Sequence, residues 1–278
     1  MPLLCAPVVT PLRDGKVDRT GLGSLLRWLA EQGAEVLFVS GTTGEHPRLD
    51  AEARGAVLQA SVEAGAMGRD GRPVPIWVGV TGATVAETVA LHRAAVDGGA
   101  DGVVVAPLAV PGLADADAVA LLADLLGPVP LYLYENPDLS GGRLLDPDRV
   151  DLPLDGVKIS APADAVRPWL ERQPTWVGLP EAWYTLSGAP TPPVGVVMGM
   201  ANVFPAEWRR LLDGETGLRS RFDDWTAATV HEGRRRTVAC AKLGLQLRGV
   251  IGSAEVAPGT LPAAPDAAAR LAMLLGPA

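Results

Sequence analysis

The stretch LPLDGVKISAP (residues 152–162) decides how this chain folds. It is a short apolar run bounded by proline, and it carries a lysine, Lys158, between Val157 and Ile159. With a side-chain period of two, Val157 and Ile159 share one face of a strand and Lys158 takes the other, pointing inward. The chain has 21 arginines and only three lysines, and in sequence Lys16 and Lys242 sit among polar residues where any cation would serve. Lys158 is therefore expected to do what arginine cannot do at neutral pH, which is to lose its proton and act as an amine nucleophile.

Working outward, seven further β-rich runs lack simple alternation: LLCAPVVTP (3–11), EVLFVS (35–40), VPIWVGV (74–80), DGVVVAP (101–107), VPLYLYE (129–135), PTWVGL (174–179) and PVGVVMG (193–199). Stretches with apolar residues at helical spacing lie between them, such as DRTGLGSLLRWLAEQG (18–33) and DAEARGAVLQASVEAG (50–65). TVAET (84–88) predicts a capping box, Thr84 with Glu87, opening a helix that ends near Gly98-Gly99. Eight strands buried on both faces, each followed by a helix, predict an α/β fold, the (β/α)8 TIM barrel. The doubly wound sheet competes, but TPLRDGK after the first strand has nothing of the GxGxxG turn. Residues 1–214 are expected to form the barrel and 215–278 a helical C-terminal extension packed on it, two extra helices with LPAAPDAAARLAMLL as the last.

Composition excludes several functions. The net charge is −8, the pI is about 5.0, and no basic cluster or stripe is expected to hold a polyanion, so nucleic acid is not expected as a partner. Cys5 and Cys240 are far apart with no CxxC, which predicts neither a disulfide framework nor zinc and points to a reducing cytoplasm. His46, His92 and His231 lack ligand spacing, so no metal is expected, and nothing calls for a cofactor. The N-terminus MPLLCAPVVTPLRDG has no basic n-region and is broken by proline, so it reads as a strand and not a signal peptide; no apolar run is long enough to span a membrane.

In such a barrel, side chains at the C-terminal strand ends converge on one mouth. SGTTGE (40–45), YENP (134–137) and GVKIS (156–160) all fall at such ends. A lysine ammonium in a dry interior loses hydration and gives up its proton more readily. The free amine can condense with a 2-keto acid to a Schiff base, an electron sink for the neighbouring carbanion. The alternative is a packed lysine whose head pairs with Asp155 or Glu135. If the fifth and sixth strands pair, Tyr134 reaches Lys158 and can move protons; otherwise Tyr132 and Tyr134 are strand aromatics. In GTTGE, Thr42, Thr43 and the backbone of Gly41 suit a carboxylate, although glycine and threonine also mark ordinary turns. Glu45 is expected to hold loop backbone.

Taken in order, APVVTPL (6–12), SGTTGE, VGVTGATVAETV (78–89), LYENPDLSG (133–141), GVKIS and GVVMGMANVFP (195–205) resemble the dihydrodipicolinate synthase/N-acetylneuraminate lyase family of class I aldolases. The resemblance implies Lys158 as the Schiff-base lysine, Tyr134 as the catalytic tyrosine, Thr42 with Thr43 as the carboxylate pair, and Val197 as a residue whose carbonyl faces substrate. It further implies a homo-oligomer, usually a tetramer of two tight dimers, acting on a pyruvate-type keto acid and an aldehyde.

The sequence also departs from the pattern. Leu108 and Ala109 stand where a relay tyrosine is expected, and Leu139 stands where the synthases carry an arginine. Pro180-Glu181 replaces an Asp-Glu pair, and Ile159 follows the lysine irregularly. A leucine cannot replace a guanidinium that grips a carboxylate in a bidentate fork, which argues against lysine biosynthesis. The leading expectation is an aldolase or lyase. The alternatives are a synthase-like enzyme or keto-deoxy sugar acid dehydratase using the same Schiff base, and a catalytically retired keto-acid-binding protein.

Overall fold

The structure is a computed structural model and describes residues 1–276. The strands of its barrel are β1 (Leu3–Pro7), β2 (Val36–Val39), β3 (Ile76–Gly79), β4 (Gly102–Val105), β5 (Leu131–Glu135), β6 (Gly156–Ile159), β7 (Thr175–Val177) and β8 (Gly195–Val197). They close in chain order. Each falls inside one of the runs anticipated from sequence, because a branched apolar stretch of this length satisfies its backbone and buries both faces only inside a covered parallel sheet.

The major helices are α1 (Arg19–Glu31), α2 (Ala51–Glu63), α3 (Val85–Asp97), α4 (Asp115–Asp124), α5 (Pro180–Leu186), α6 (Pro205–Leu212), α7 (Arg219–Ala228), α8 (Thr237–Leu247) and α9 (Ala267–Leu275). Their starts follow from side chains: Asp18 accepts from Gly21 N at 2.9 Å and Asp50 from Ala53 N at 2.8 Å, caps worth about 1 kcal/mol each. At α3, Thr84 Oγ1 accepts from Glu87 N at 3.1 Å while Glu87 reaches back to Ala83 N at 2.7 Å, the reciprocal box that the sequence predicted, and Gly98 closes the helix.

Two expectations need correction. A helix was expected after every strand, but β5 and β6 are followed by short turns alone, Pro137–Ser140 and Pro147–Arg149 after β5, and Ala163–Val166 running into Arg167–Trp169 after β6. The glycines and prolines of NPDLSGGRLLDP and SAPADAVRP leave no longer uninterrupted run. Among the described residues beyond α6 there are three helices, α7 to α9, where two were expected, because the hairpin Val230–His231/Arg234–Arg235 divides the segment once more.

By internal contacts the chain falls into two compact units. In the first, residues 1–3 and 75–198, an aromatic layer fills the interior. Trp77 on β3 stacks on Tyr132 of β5 with centroids 3.8 Å apart and meets Trp176 of β7 edge-on at 5.0 Å. The intervening strands supply glycine at this level: a Cβ on Gly102 would lie 2.7 Å from Trp77, and one on Gly156 would lie 2.7 Å from the carbonyl oxygen of Pro174. Large residues on alternate strands thus interlock with glycines on the strands between them.

The second unit contains residues 4–74 and those from Gly199 onward. Trp208 stacks on Phe222 at 4.6 Å and Phe204 meets Trp225 at 5.5 Å, joining α6 to α7. Asn202, fully buried, donates to the carbonyls of Pro7 and Gly199 and accepts from Val9 N, satisfying backbone that leaves the strands. Among the described residues no helix is long and apolar enough to cross a membrane.

Candidate active site

The registers of β5 and β6 determine what meets at their ends. Tyr132 pairs with Gly156, and one pleat further on Tyr134 pairs with Lys158. Lys158 therefore projects on the same side as Gly156, one step above the aromatic layer, with Trp176 as its register partner on β7. Lys158 is 6% exposed and Tyr134 7%, so both are enclosed. Lys158 Nζ lies 3.3 Å from the centroid of the Tyr134 ring, against its electron-rich face. The sequence-predicted pair is thus brought together, amine on ring face.

The tyrosine hydroxyl faces a residue that the sequence reading passed over. Asn136 Nδ2 donates to Tyr134 Oη at 2.8 Å, while Asn136 Oδ1 accepts from Asp138 N and caps the turn Pro137–Ser140. An Asn-Pro pair at a strand end was the available signal, since asparagine before proline caps a turn and keeps its amide donors for another partner.

The two carboxylates considered as partners for the lysine have other occupations. Asp155 accepts from Leu131 N at 2.9 Å. Glu135, in register with Ile159, is turned to the opposite face and accepts from Leu145 N at 2.9 Å. Glu135 is 2% exposed, and its Oε1 has no hydrogen-bond partner among the described residues. Burial pushes its pKa to about 7, a rise opposed by the Leu145 N–H and by Arg143 and reinforced by Asp115.

The GTTGE loop follows β2. Ser40 (φ 54°) and Glu45 (φ 62°) both hold left-handed conformations, which cost non-glycine residues roughly 1 kcal/mol or more each. The turn is held by Glu45 N donating to Thr42 O and by Thr10 Oγ1 donating to Gly44 O at 2.8 Å. Gly41 is required because a Cβ there would lie 2.8 Å from the Phe38 ring. Thr42 Oγ1 is enclosed with no hydrogen-bond partner among the described residues. Thr43 lies beside the chain after β8: a Cβ on Gly199 would be 3.8 Å from both Thr43 Oγ1 and Thr237 Cγ2.

Glu45 and Lys242 overturn one sequence expectation. Lys242 does not sit where any cation would serve. It is fully buried, its ammonium pairs with the Glu45 carboxylate, and it donates to Glu255 O at 2.7 Å. Burial lowers its pKa and the Glu45 charge works against that fall. Glu45 also accepts from Ala257 N at 2.8 Å, so it holds the backbone of a remote segment as well as the lysine.

Of the remaining positions, Val197 ends β8 and is 2% exposed. Leu108 is buried in the turn Pro107–Ala109 after β4, Leu139 is half-buried in the turn after β5, and Pro180-Glu181 opens α5 with Glu181 exposed.

A buried amine beside a phenol, on neighbouring strands of a (β/α)8 barrel, defines a class of protein equipped for Schiff-base chemistry. Comparison with known proteins narrows it. Residues 2–151 match the dihydrodipicolinate synthetase family. A 4-hydroxy-tetrahydrodipicolinate synthase of Kineococcus radiotolerans is 30% identical over 285 residues, covering 95% of this chain and 89% of that protein. YagE of Escherichia coli, a candidate 2-dehydro-3-deoxy-D-gluconate aldolase, is 31% identical over 133 residues, 47% of this chain but only 42% of its own length. The solved structure of YagE in complex with pyruvate shares the fold, with a TM-score of 0.84 at 23% identity over 99% of this chain and 97% of that one. The chain belongs to the dihydrodipicolinate synthetase family.

Proposed function

We propose that this chain is a class I aldolase-type lyase that makes or breaks a carbon–carbon bond next to a pyruvate-type 2-keto acid, with an aldehyde as the other substrate. The observation that carries the reading is the enclosed Lys158 amine against the ring of Tyr134. The amine adds to the ketone, the carbinolamine loses water, and the resulting iminium accepts the electron pair released or required at the adjacent carbon. Tyr134 carries protons between the nitrogen, the carbinolamine oxygen and the substrate. Thr42, Thr43 and the backbone of Gly41 hold the carboxylate, and the carbonyl of Val197 faces the bound keto acid. Leu139, an apolar side chain where the synthases place an arginine, favours aldol chemistry over the reaction of the named synthases. The proposed enzyme is a cytoplasmic homo-oligomer that uses no cofactor.

Borohydride reduction in the presence of pyruvate, followed by intact mass and peptide mapping, tests this. The expected result is one covalent adduct on Lys158 that disappears in Lys158→Ala. An adduct on the other buried lysine, Lys242, or none at all, rejects the mechanism.

A further inference from the structure

The turn after β5 fixes the direction of one hydrogen bond in the candidate active site. Asn136, in extended backbone, opens the turn Pro137–Ser140, and its Oδ1 accepts from Asp138 N at 3.0 Å. A backbone N–H can only donate, so that end of the amide is the oxygen, and the end that meets Tyr134 Oη at 2.8 Å is the nitrogen. Tyr134 Oη is therefore the acceptor in this contact. The single proton of the phenol is directed away from Asn136.

The amide has little freedom to turn over. Pro137 keeps Asn136 in the extended region, and Asn136 O accepts from Leu139 N at 3.0 Å. Gly142 N donates to Pro137 O at 2.8 Å and closes the turn. Further on, Leu145 N donates to Glu135 at 2.9 Å, so the segment that leaves β5 at Asn136 is tied back to the residue before it. Both ends of the segment are anchored on the strand that carries Tyr134.

The surroundings give this direction a chemical consequence. Lys158 from β6 lies over the phenol ring, Glu135 on β5 is turned to the opposite face, and Leu108 and Ala109 in the turn after β4 have no side-chain proton to contribute. In the proposed reaction the Tyr134 proton passes to the carbinolamine oxygen, the C–O bond breaks, water leaves, and the nitrogen lone pair closes the C=N bond. Tyr134 is left as a phenolate, which then takes a methyl proton of the iminium while the C–H pair forms a C=C bond and the C=N pair returns to nitrogen. Between these two transfers the Asn136 N–H faces an anion. A hydrogen bond to a charged acceptor is the stronger kind, so the contact contributes more after the first transfer than before it.

We infer that Asn136 is a positioning residue that acts through Tyr134. Its amide holds the phenol oxygen as an acceptor, directs the phenol proton away from the turn, and steadies the phenolate left behind. The part in turnover rests on the aldolase reading above; the direction of the Asn136–Tyr134 bond does not.

Two substitutions keep a capping oxygen and change what meets the phenol. Asn136→Asp presents an acceptor and reverses the bond, whereas Asn136→Ser is too short to span the gap and only removes the donor. Exchange of the pyruvate methyl protons in deuterated water, followed by NMR, reads the proton transfers with no aldehyde present. At saturating pyruvate the exchange rate should fall about 10- to 100-fold in Asn136→Asp, the size of a hydrogen bond to a charged group, and less in Asn136→Ser. The half-saturating pyruvate concentration should change little in either. In a Tyr134→Phe background, Asn136→Asp should cost little more, because its partner is already gone. Ultraviolet titration of the phenols, with Tyr134 assigned by its loss in Tyr134→Phe, should place the ionisation of Tyr134 about one pH unit or more higher in Asn136→Asp than in the wild type. An unchanged exchange rate, equal losses in the Asp and Ser variants, the same loss in the Tyr134→Phe background, or an unmoved titration overturns the inference. If the wild type forms no borohydride-trapped pyruvate adduct, the aldolase reading fails and the phenol titration still decides the direction of the bond.

Discussion

Tyr134 presents two surfaces, a ring face to the Lys158 amine and a hydroxyl to Asn136, and substitution separates them. Tyr134→Phe retains the face and removes the proton carrier, so the pyruvate adduct should still form while turnover falls about 10²- to 10⁴-fold, as expected for a lost general acid–base group. Asn136→Asp retains the oxygen that caps the following turn but loses the N–H that meets the phenol. Its melting temperature should stay close to wild type while kcat drops and KM changes little; equal loss of stability and activity would reduce Asn136 to a structural cap. Glu135 gives a pH signature. Its pKa rises from about 4.5 to about 7 on folding, so between those values the folded state holds a proton that the unfolded state has released. Stability from this group is fully present below pH 4.5 and is lost as pH rises towards 7. With about 1.4 kcal/mol per pH unit, the loss is roughly 3 kcal/mol. Glu135→Gln should remove that slope and be the more stable protein at pH 8 in urea denaturation.

At the scale of elements, the GTTGE loop, α8 and the segment around Glu255–Ala257 are joined through one buried ion pair, Glu45 with Lys242. Breaking such a pair from one side strands a charge, whereas replacing both partners with neutral groups often costs little. Lys242→Met should therefore cost about 3–5 kcal/mol, and Lys242→Met with Glu45→Gln should recover most of it. Chemical denaturation of the four proteins of this cycle provides the measurement. If the double variant is as unstable as Lys242→Met, the pair acts through packing and not through charge. The same loop carries Thr42, the residue proposed to hold the carboxylate of the keto acid.

Across the whole molecule, the aromatic and glycine layer is what lets the strands close over a packed interior beneath Lys158. Gly156→Ala would put a carbon 2.7 Å from the Pro174 carbonyl oxygen, a backbone atom with little freedom to move. The expected cost is about 1–3 kcal/mol, typical of overpacking. Gly55→Ala, within α2 and with nothing within 4 Å of the new carbon, should instead stabilise by roughly 0.5–1 kcal/mol. Thermal melts of the two variants moving in opposite directions would support the layer as the closure device, and a neutral Gly156→Ala would refute it.

The sequence by itself determined the eight strands, most of the helices and the inward direction of Lys158. These depend on local periods of two and 3.6 residues, and neighbouring strands leave little freedom in what faces what. Only the tertiary structure decided that Lys242 is buried on Glu45, that Asn136 addresses the tyrosine, and that Glu135 is turned away and dried. In each case the outcome depends on which distant segments of chain arrive at the same place, and that information is absent from any single stretch of residues.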